Sequence, residues 1–183
     1  MAHGEYLLII NPDNMMPSDA LEKMLDVLQK HPDVGIVGPA LIHPDGSVRP
    51  SARSFPTVLD LLRKRFSPNH WQAKYEESAR TLVKNDRREV DWLVGACVLI
   101  NTDFFRSLGG FDERFFLFFE DIDLCRRVRL KGKKVLYLPH MHVLDRRMRL
   151  SGSSIFSLLR RKTTWIHVLS AIKYFWKWRA ASA

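Results

Sequence analysis

The chain has 183 residues, 46% of them hydrophobic and 27% charged, which suits one domain with its own core and excludes wholesale disorder. Its net charge of +9 is localised: the last 38 residues hold nine of the 29 basic residues and none of the 20 acidic ones, so residues 1–145 are formally neutral. The basic character therefore belongs to a tail, and composition gives no ground for a nucleic-acid-binding domain.

At the amino terminus Glu5 precedes only a five-residue apolar run, with no basic-then-apolar leader, and no uncharged stretch approaches the roughly 20 residues of a membrane span. The expected location is cytoplasmic. Tyr6 to Ile10, broken by Asn11-Pro12, reads as a buried strand that ends in a loop at its carboxyl edge. Ser18 is placed to cap a helix with Asp19 and Glu22 in its first turn and Leu21, Met24, Leu25 and Leu28 on one face, ended by Pro32. Val34 to Val37 predicts a short strand and His43-Pro44-Asp45-Gly46 a turn. Thr57 is placed to cap a short helix bearing Val58, Leu59, Leu61 and Leu62, and residues 67–89 read as an excursion over the site. Trp92 to Ile100 predicts a buried strand. Thr102 is placed to cap a short helix ending at Gly109-Gly110, Asp121 to Leu130 predicts a helix ended by Gly132, and Val135 to Leu138 a strand before Pro139. Cys97 and Cys125 lie within these apolar and helical patterns, not at a metal-ligand spacing, and read as reduced core thiols.

Chemistry concentrates where four phenylalanines between Phe115 and Phe119 run into Glu120, Asp121 and Asp123. Carboxylates beside an apolar wall cost desolvation energy unless they have a partner or a task. Acids are also favoured at a helix amino terminus by the helix dipole, which accounts for one or two of them. Asp13 sits just past a buried strand, where open α/β sheets place ligand-binding groups, although Asn-Pro-Asp-Asn also suits a simple Asx turn. Trp92 suits either a ligand-stacking face or the core, and Gly95-Ala96 permits close backbone approach by a ligand or by packing. Arg53 suits a phosphate partner or a surface residue.

Three runs carry a resemblance: V-D-W-L-V-G-A-C-V-L-I from Val90, G-G-F-D-E-R-F-F-L-F-F-E-D-I-D-L-C-R-R from Gly109, and K-V-L-Y-L-P from Lys134. Together with Asn11-Pro12-Asp13, and with the segment holding Arg49, Ser51, Arg53 and Phe55-Pro56, they resemble the family 2 glycosyltransferases of the GT-A fold, in particular the bacterial rhamnosyltransferase-like group. The resemblance implies an α/β, incomplete GT-A (Rossmann-like) domain with a mixed sheet over residues 1–145, followed by a tail over 146–183. It implies an inverting, metal-dependent enzyme that moves a sugar from a nucleotide-sugar donor to a hydroxyl of a lipid-linked or cell-surface glycan acceptor. On this reading Asp13 holds Mg²⁺ or Mn²⁺ on the donor diphosphate, Asp121 is the general base with Glu120 as its substitute, and Asp123 is structural. Arg53 would meet the donor phosphates, and Trp92, Gly95 and Ala96 would line the substrate site. A histidine that relatives place after the strand-ending proline is matched here by Asp145, with His140 and His142 close by. Asp145 ligates the metal in its place, or one of those histidines does, or that ligand is missing. The family's nucleotide-binding portion lies upstream of the strand-end acid, and only ten residues precede Asn11. The resemblance therefore implies either a fragment or a partner chain that supplies that half; the alternative function is a catalytically silent membrane-associated or partner-binding fragment.

In the tail, Leu158, Trp165, Leu169, Ile172 and Trp176 share one helical stripe, opposite Arg160, His167, Ser170 and Lys177. Ser153 to Arg179 thus reads as an interfacial helix on an anionic membrane, peripheral at the inner face of the plasma membrane, or as a helix packed on the domain.

Overall fold

The computed structural model describes residues 3–60, 87–146 and 162–179. In chain order these form β1 (Tyr6–Ile10), β2 (Asn14–Met15), α1 (Ser18–Lys30), β3 (Val34–Ile42), β4 (Val48–Arg49) and β5 (Ala52–Arg53). Then follow β6 (Arg88–Glu89), β7 (Trp92–Leu93), β8 (Cys97–Asn101), α2 (Thr102–Ser107), α3 (Glu120–Leu130), β9 (Lys134–Asp145) and α4 (Lys162–Trp178).

The main sheet has the order β1-β8-β3-β9-β2, with β4 on β3 and β6 on β9; β5 and β7 form a separate ribbon. β8 is antiparallel to both β1 and β3, whereas β3 and β9 are parallel. The strands β1, β3 and β9 therefore share one direction, and their carboxyl ends open on one edge, where such sheets hold ligands.

Side-chain alternation decides the layers. Ile36, Val98, Ile100, Val135 and Tyr137 face α3, where Ile122, Cys125 and Val128 complete the packing. Val37, Leu99, Leu136 and Leu138 face Met24, Val27 and Leu28 of α1. Burial on both faces explains why these strands read as continuous apolar runs. Cys97 and Cys125 are free and buried, which pushes both thiols up to about 12 and keeps them unreactive.

Several expected boundaries move. The run Trp92 to Ile100 is two strands, because the backbone leaves the sheet at Val94-Gly95-Ala96. β3 continues past Val37 to Ile42, and β9 continues through Pro139 to Asp145, with a register shift between Pro39 and Ala40. Proline lacks an N–H, so such a shift is where a strand tolerates it. Ser18 and Thr102 are the first residues of their helices, not the caps. Pro17 holds the cap position of α1 without a side-chain bond, and the Asn101 side chain caps α2 by accepting from the Phe104 N–H at 2.9 Å. Thr57 does cap, reciprocally with Asp60: the Asp60 N–H donates to Thr57 Oγ1 at 3.1 Å and the Thr57 N–H to Asp60 Oδ2 at 3.0 Å. Leu61 and Leu62, most of the 67–89 excursion, and Leu158 of the tail stripe lie outside the described residues; Arg88–Glu89 pairs with β9.

α4 packs on the domain through Ser170, Ala171, Tyr174 and Trp178, all buried. Its anchor is Asp123, 0% exposed, whose Oδ1 accepts from Trp178 Nε1 at 2.9 Å and lies 2.6 Å from Lys177 Nζ. Arg127 Nε donates to Asp123 Oδ2 at 2.8 Å. Asp123 is structural, as expected. Removing one member of a buried ion cluster leaves the others uncompensated, so Asp123→Ala should destabilise the fold by about 3–5 kcal/mol in urea denaturation.

Candidate functional site

The loop after β1 is held by one carbonyl. The Asn11 N–H and Asn14 Nδ2 both donate to Ala96 O at 2.8 Å, and the Asn14 N–H turns back to Asn11 O at 3.1 Å. This turn carries Asp13, partly exposed, at the carboxyl end of β1. Asn14 Oδ1 beside it is buried and has no hydrogen-bond partner.

The preceding residue, Gly95, reaches the other acid. Its N–H donates to Asp121 Oδ2 at 3.0 Å, and the Ile122 N–H donates to Asp121 Oδ1 at 2.8 Å. A Cβ at position 95 would stand 3.2 Å from Asp121 Cβ, so glycine is what lets this N–H approach. Burial raises the Asp121 carboxyl above the ordinary range, against the pull of those two N–H donors and of the Arg53 charge. Glu120 Oε2 is buried without a hydrogen-bond partner. Burial first, then the Asp121 charge, pushes its carboxyl up to about 7.

The pair is delivered by a strained turn. Phe118 and Phe119 stand consecutively at φ of 65° and 69°, a region costly for a side chain of that size. The aromatic wall is therefore uneven: Phe115 and Phe119 are buried, whereas Phe116 is 85% exposed.

The other expected site residues are placed as follows. Trp92 is buried, its Nε1 donates to Ser54 O at 2.8 Å, and the Arg53 guanidinium lies 5.3 Å from its ring centroid. Of the two readings left open for Trp92, burial and the neighbouring cation favour the core. Arg53 donates twice to Pro50 O, at 3.0 and 2.8 Å, and its charge acts on Asp121. Ala96 is buried and contributes its carbonyl, not a lining side chain. Asp145, also buried, pairs with Arg49 Nη1 at 2.6 Å, with His43 Nδ1 at 3.9 Å, so a metal at Asp145 would compete with Arg49. His140 and His142 are exposed. Sequence reasoning read Asn11, Asn14 and His43 only as turn residues and Arg49 only as part of a matching segment; the polar residues flanking each strand end were their available signal.

Among the described residues no group of three or more His, Cys, Asp or Glu side chains forms a metal cage. The Asp13 carboxylate and the orphaned Asn14 Oδ1 are oxygen donors of the kind a hard cation takes.

The raised Glu120 carboxyl gives a test independent of activity. A group protonated more readily in the folded state loses its contribution as pH rises through the folded value. Stability should therefore fall between the ordinary carboxylate range and pH 7, and Glu120→Gln should remove that fall. Urea denaturation at pH 5 and pH 8 should show the variant gaining on the wild type only at the higher pH.

The profile of the family described as glycosyltransferase like family 2 matches residues 1–167. N-acetylglucosaminyl-diphospho-decaprenol L-rhamnosyltransferase of Mycobacterium tuberculosis is 31% identical over 180 residues, 94% of this chain and 58% of that protein. Rhamnosyltransferase WbbL of Escherichia coli is 28% identical over 78% of this chain and 53% of its own length. The chain thus spans a little over half the length of these curated relatives. The crystal structure of GalNAc-T7 with UDP, GalNAc and Mn²⁺ superposes with a TM-score of 0.53 at 17% identity, over 82% of this chain and 29% of that one. With the mixed sheet and the acids at its carboxyl edge already described, the chain belongs to the glycosyltransferase family 2-like proteins and has their GT-A fold.

Proposed function

We propose that this chain carries the metal and acceptor half of an inverting glycosyltransferase. The donor is a nucleotide-sugar, and the acceptor is a hydroxyl of a sugar linked to a polyprenyl diphosphate. The observation that carries this reading is the Gly95-Ala96 segment, which joins the Asp13 loop to Asp121 through consecutive residues. The relatives named as rhamnosyltransferases support L-rhamnose as the transferred sugar and a lipid-linked acceptor. A partner chain or a further portion of the same protein would supply the nucleotide pocket.

Asp121, oriented by the Gly95 and Ile122 N–H groups, takes the proton from the acceptor hydroxyl as its oxygen attacks the anomeric carbon. The bond from that carbon to the diphosphate oxygen breaks, its electron pair leaves with the nucleoside diphosphate, and configuration inverts. Arg53 favours the charged form of Asp121, whereas burial opposes it. Glu120, with its carboxyl up at about 7, supports the base as a partly protonated neighbour. Asp13 and Asn14 would hold Mg²⁺ or Mn²⁺, which neutralises charge on the departing diphosphate when bound.

The test, made with the chain complemented by the portion that supplies the nucleotide pocket, is transfer from a panel of uridine and thymidine diphosphate sugars to N-acetylglucosamine on a polyprenyl diphosphate. Asp121→Asn should lower turnover by about 10²–10⁴-fold and leave calorimetric donor binding nearly unchanged. Because a base must be deprotonated, the wild-type rate should climb with pH along a limb displaced above the ordinary carboxylate range. Near-normal turnover of Asp121→Asn would overturn the assignment of the base.

A further inference from the structure

α4 has two apolar faces, and the described residues of the domain bury only one. Ala171, Tyr174 and Trp178 are buried against the α3 side, whereas Trp165, Val168, Leu169, Ile172 and Trp176 are 58%, 41%, 53%, 60% and 70% exposed. These five recur at intervals of three and four and form one continuous stripe. The sequence stripe is therefore real, but it is the outer face and not the packing face. Solvent exposure of two tryptophans and three aliphatic side chains on a single helix face marks an interaction surface.

We propose that this outer face docks on an anionic lipid surface. Charge selects the occupant: residues 146–183 hold nine basic residues and no acid. Exposed Lys162 and Lys173 flank the stripe, and the Arg179 guanidinium lies 3.9 Å from the Trp176 ring centroid. Amphipathic tryptophans with basic neighbours suit the headgroup boundary. A second copy of the chain would set two acid-free basic helices against each other, at a repulsive cost. No described helix is long and apolar enough to cross a membrane, so the contact lies along the surface.

The same helix holds the turn that leads into the candidate site. Ser170 Oγ donates to Leu117 O at 2.8 Å, and Lys173 Nζ donates to Arg114 O at 3.0 Å, which fixes the loop from which Phe116 projects, 85% exposed. The His167 ring lies tilted 5.0 Å from Phe118 and edge-on 5.4 Å from Phe119, centroid to centroid, the residues that lead into Glu120 and Asp121. Docking α4 on lipid would thus act on the turn that leads into these acids from the opposite side of the helix.

Co-sedimentation of the full chain with phosphatidylcholine vesicles, with and without phosphatidylglycerol, tests the proposal without any sugar transfer, so its failure is separate from that of the enzymatic reading. The wild type should pellet with the anionic vesicles, more weakly as salt rises, with a blue shift of tryptophan fluorescence. The double variant Leu169→Glu, Ile172→Glu should lose more than about tenfold in vesicle affinity. Its unfolding midpoint should stay near the wild-type value, since both side chains are exposed. Wild-type binding by the folded variant, or no binding by the wild type, would overturn the proposal. A wild-type dimer in sedimentation equilibrium that the variant abolishes, without vesicle binding, would assign the face to a second copy instead.

Discussion

The candidate site depends on two consecutive residues that lie outside any regular strand. Gly95 gives its N–H to Asp121, and Ala96 gives its carbonyl to Asn11 and Asn14. Between β7 and β8 the Val94 N–H bonds Ser51 O, the Ala96 carbonyl extends the β1 pairing to Asn11, and the Gly95 N–H, outside any ladder, finds Asp121. The break in the strand is thus what joins the Asp13 turn to the start of α3. It is also why position 95 is a glycine, since a side chain there would push against Asp121 Cβ at 3.2 Å.

Charge is handled differently at the carboxylates. Asp123 is surrounded by Arg127, Lys177 and Trp178 and serves as the pin between α3 and α4. Asp145 is neutralised by Arg49 at 2.6 Å, which ties the end of β9 to β4. Asp112 is held well below the usual carboxylate range, first by Arg114 and also by Lys177. Asp121 and Glu120 depart from this pattern: both are raised by burial, one held by backbone N–H groups and the other left with an orphaned oxygen. Among the described residues the other buried acids, Asp123 and Asp145, are paired with cations, and this contrast is why proton transfer is proposed at Glu120 and Asp121.

The packing of α4 links this chemistry to the surface of the molecule. Its buried face meets Asp123 and the Phe118-Phe119 turn, so a helix in the basic tail supports the strained residues that launch α3. Strain of this kind persists only where surrounding contacts over-determine it, and Tyr174, fully buried 5.2 Å from the Phe119 ring, is one such contact.

Local chemistry made much of this legible in the sequence. The apolar runs announced β1, β3, β8 and β9, the loop at Asn11-Pro12 announced the end of β1, and the acids after a phenylalanine cluster announced the start of α3. Each depends on periodicity, turn residues or helix-dipole preference, which act within a few residues. Only the tertiary structure decided that Trp92 is enclosed by core and Arg53, that Asp145 belongs to Arg49, and that the backbone at residues 94–96 turns aside to bind both halves of the site. It also decided which stripe of α4 is covered. Two apolar stripes on one helix have the same local propensity, and the choice between them lies in distant partners such as Asp123, 55 residues away in sequence and buried where Trp178 reaches it, and Arg126, which donates to the Tyr174 hydroxyl.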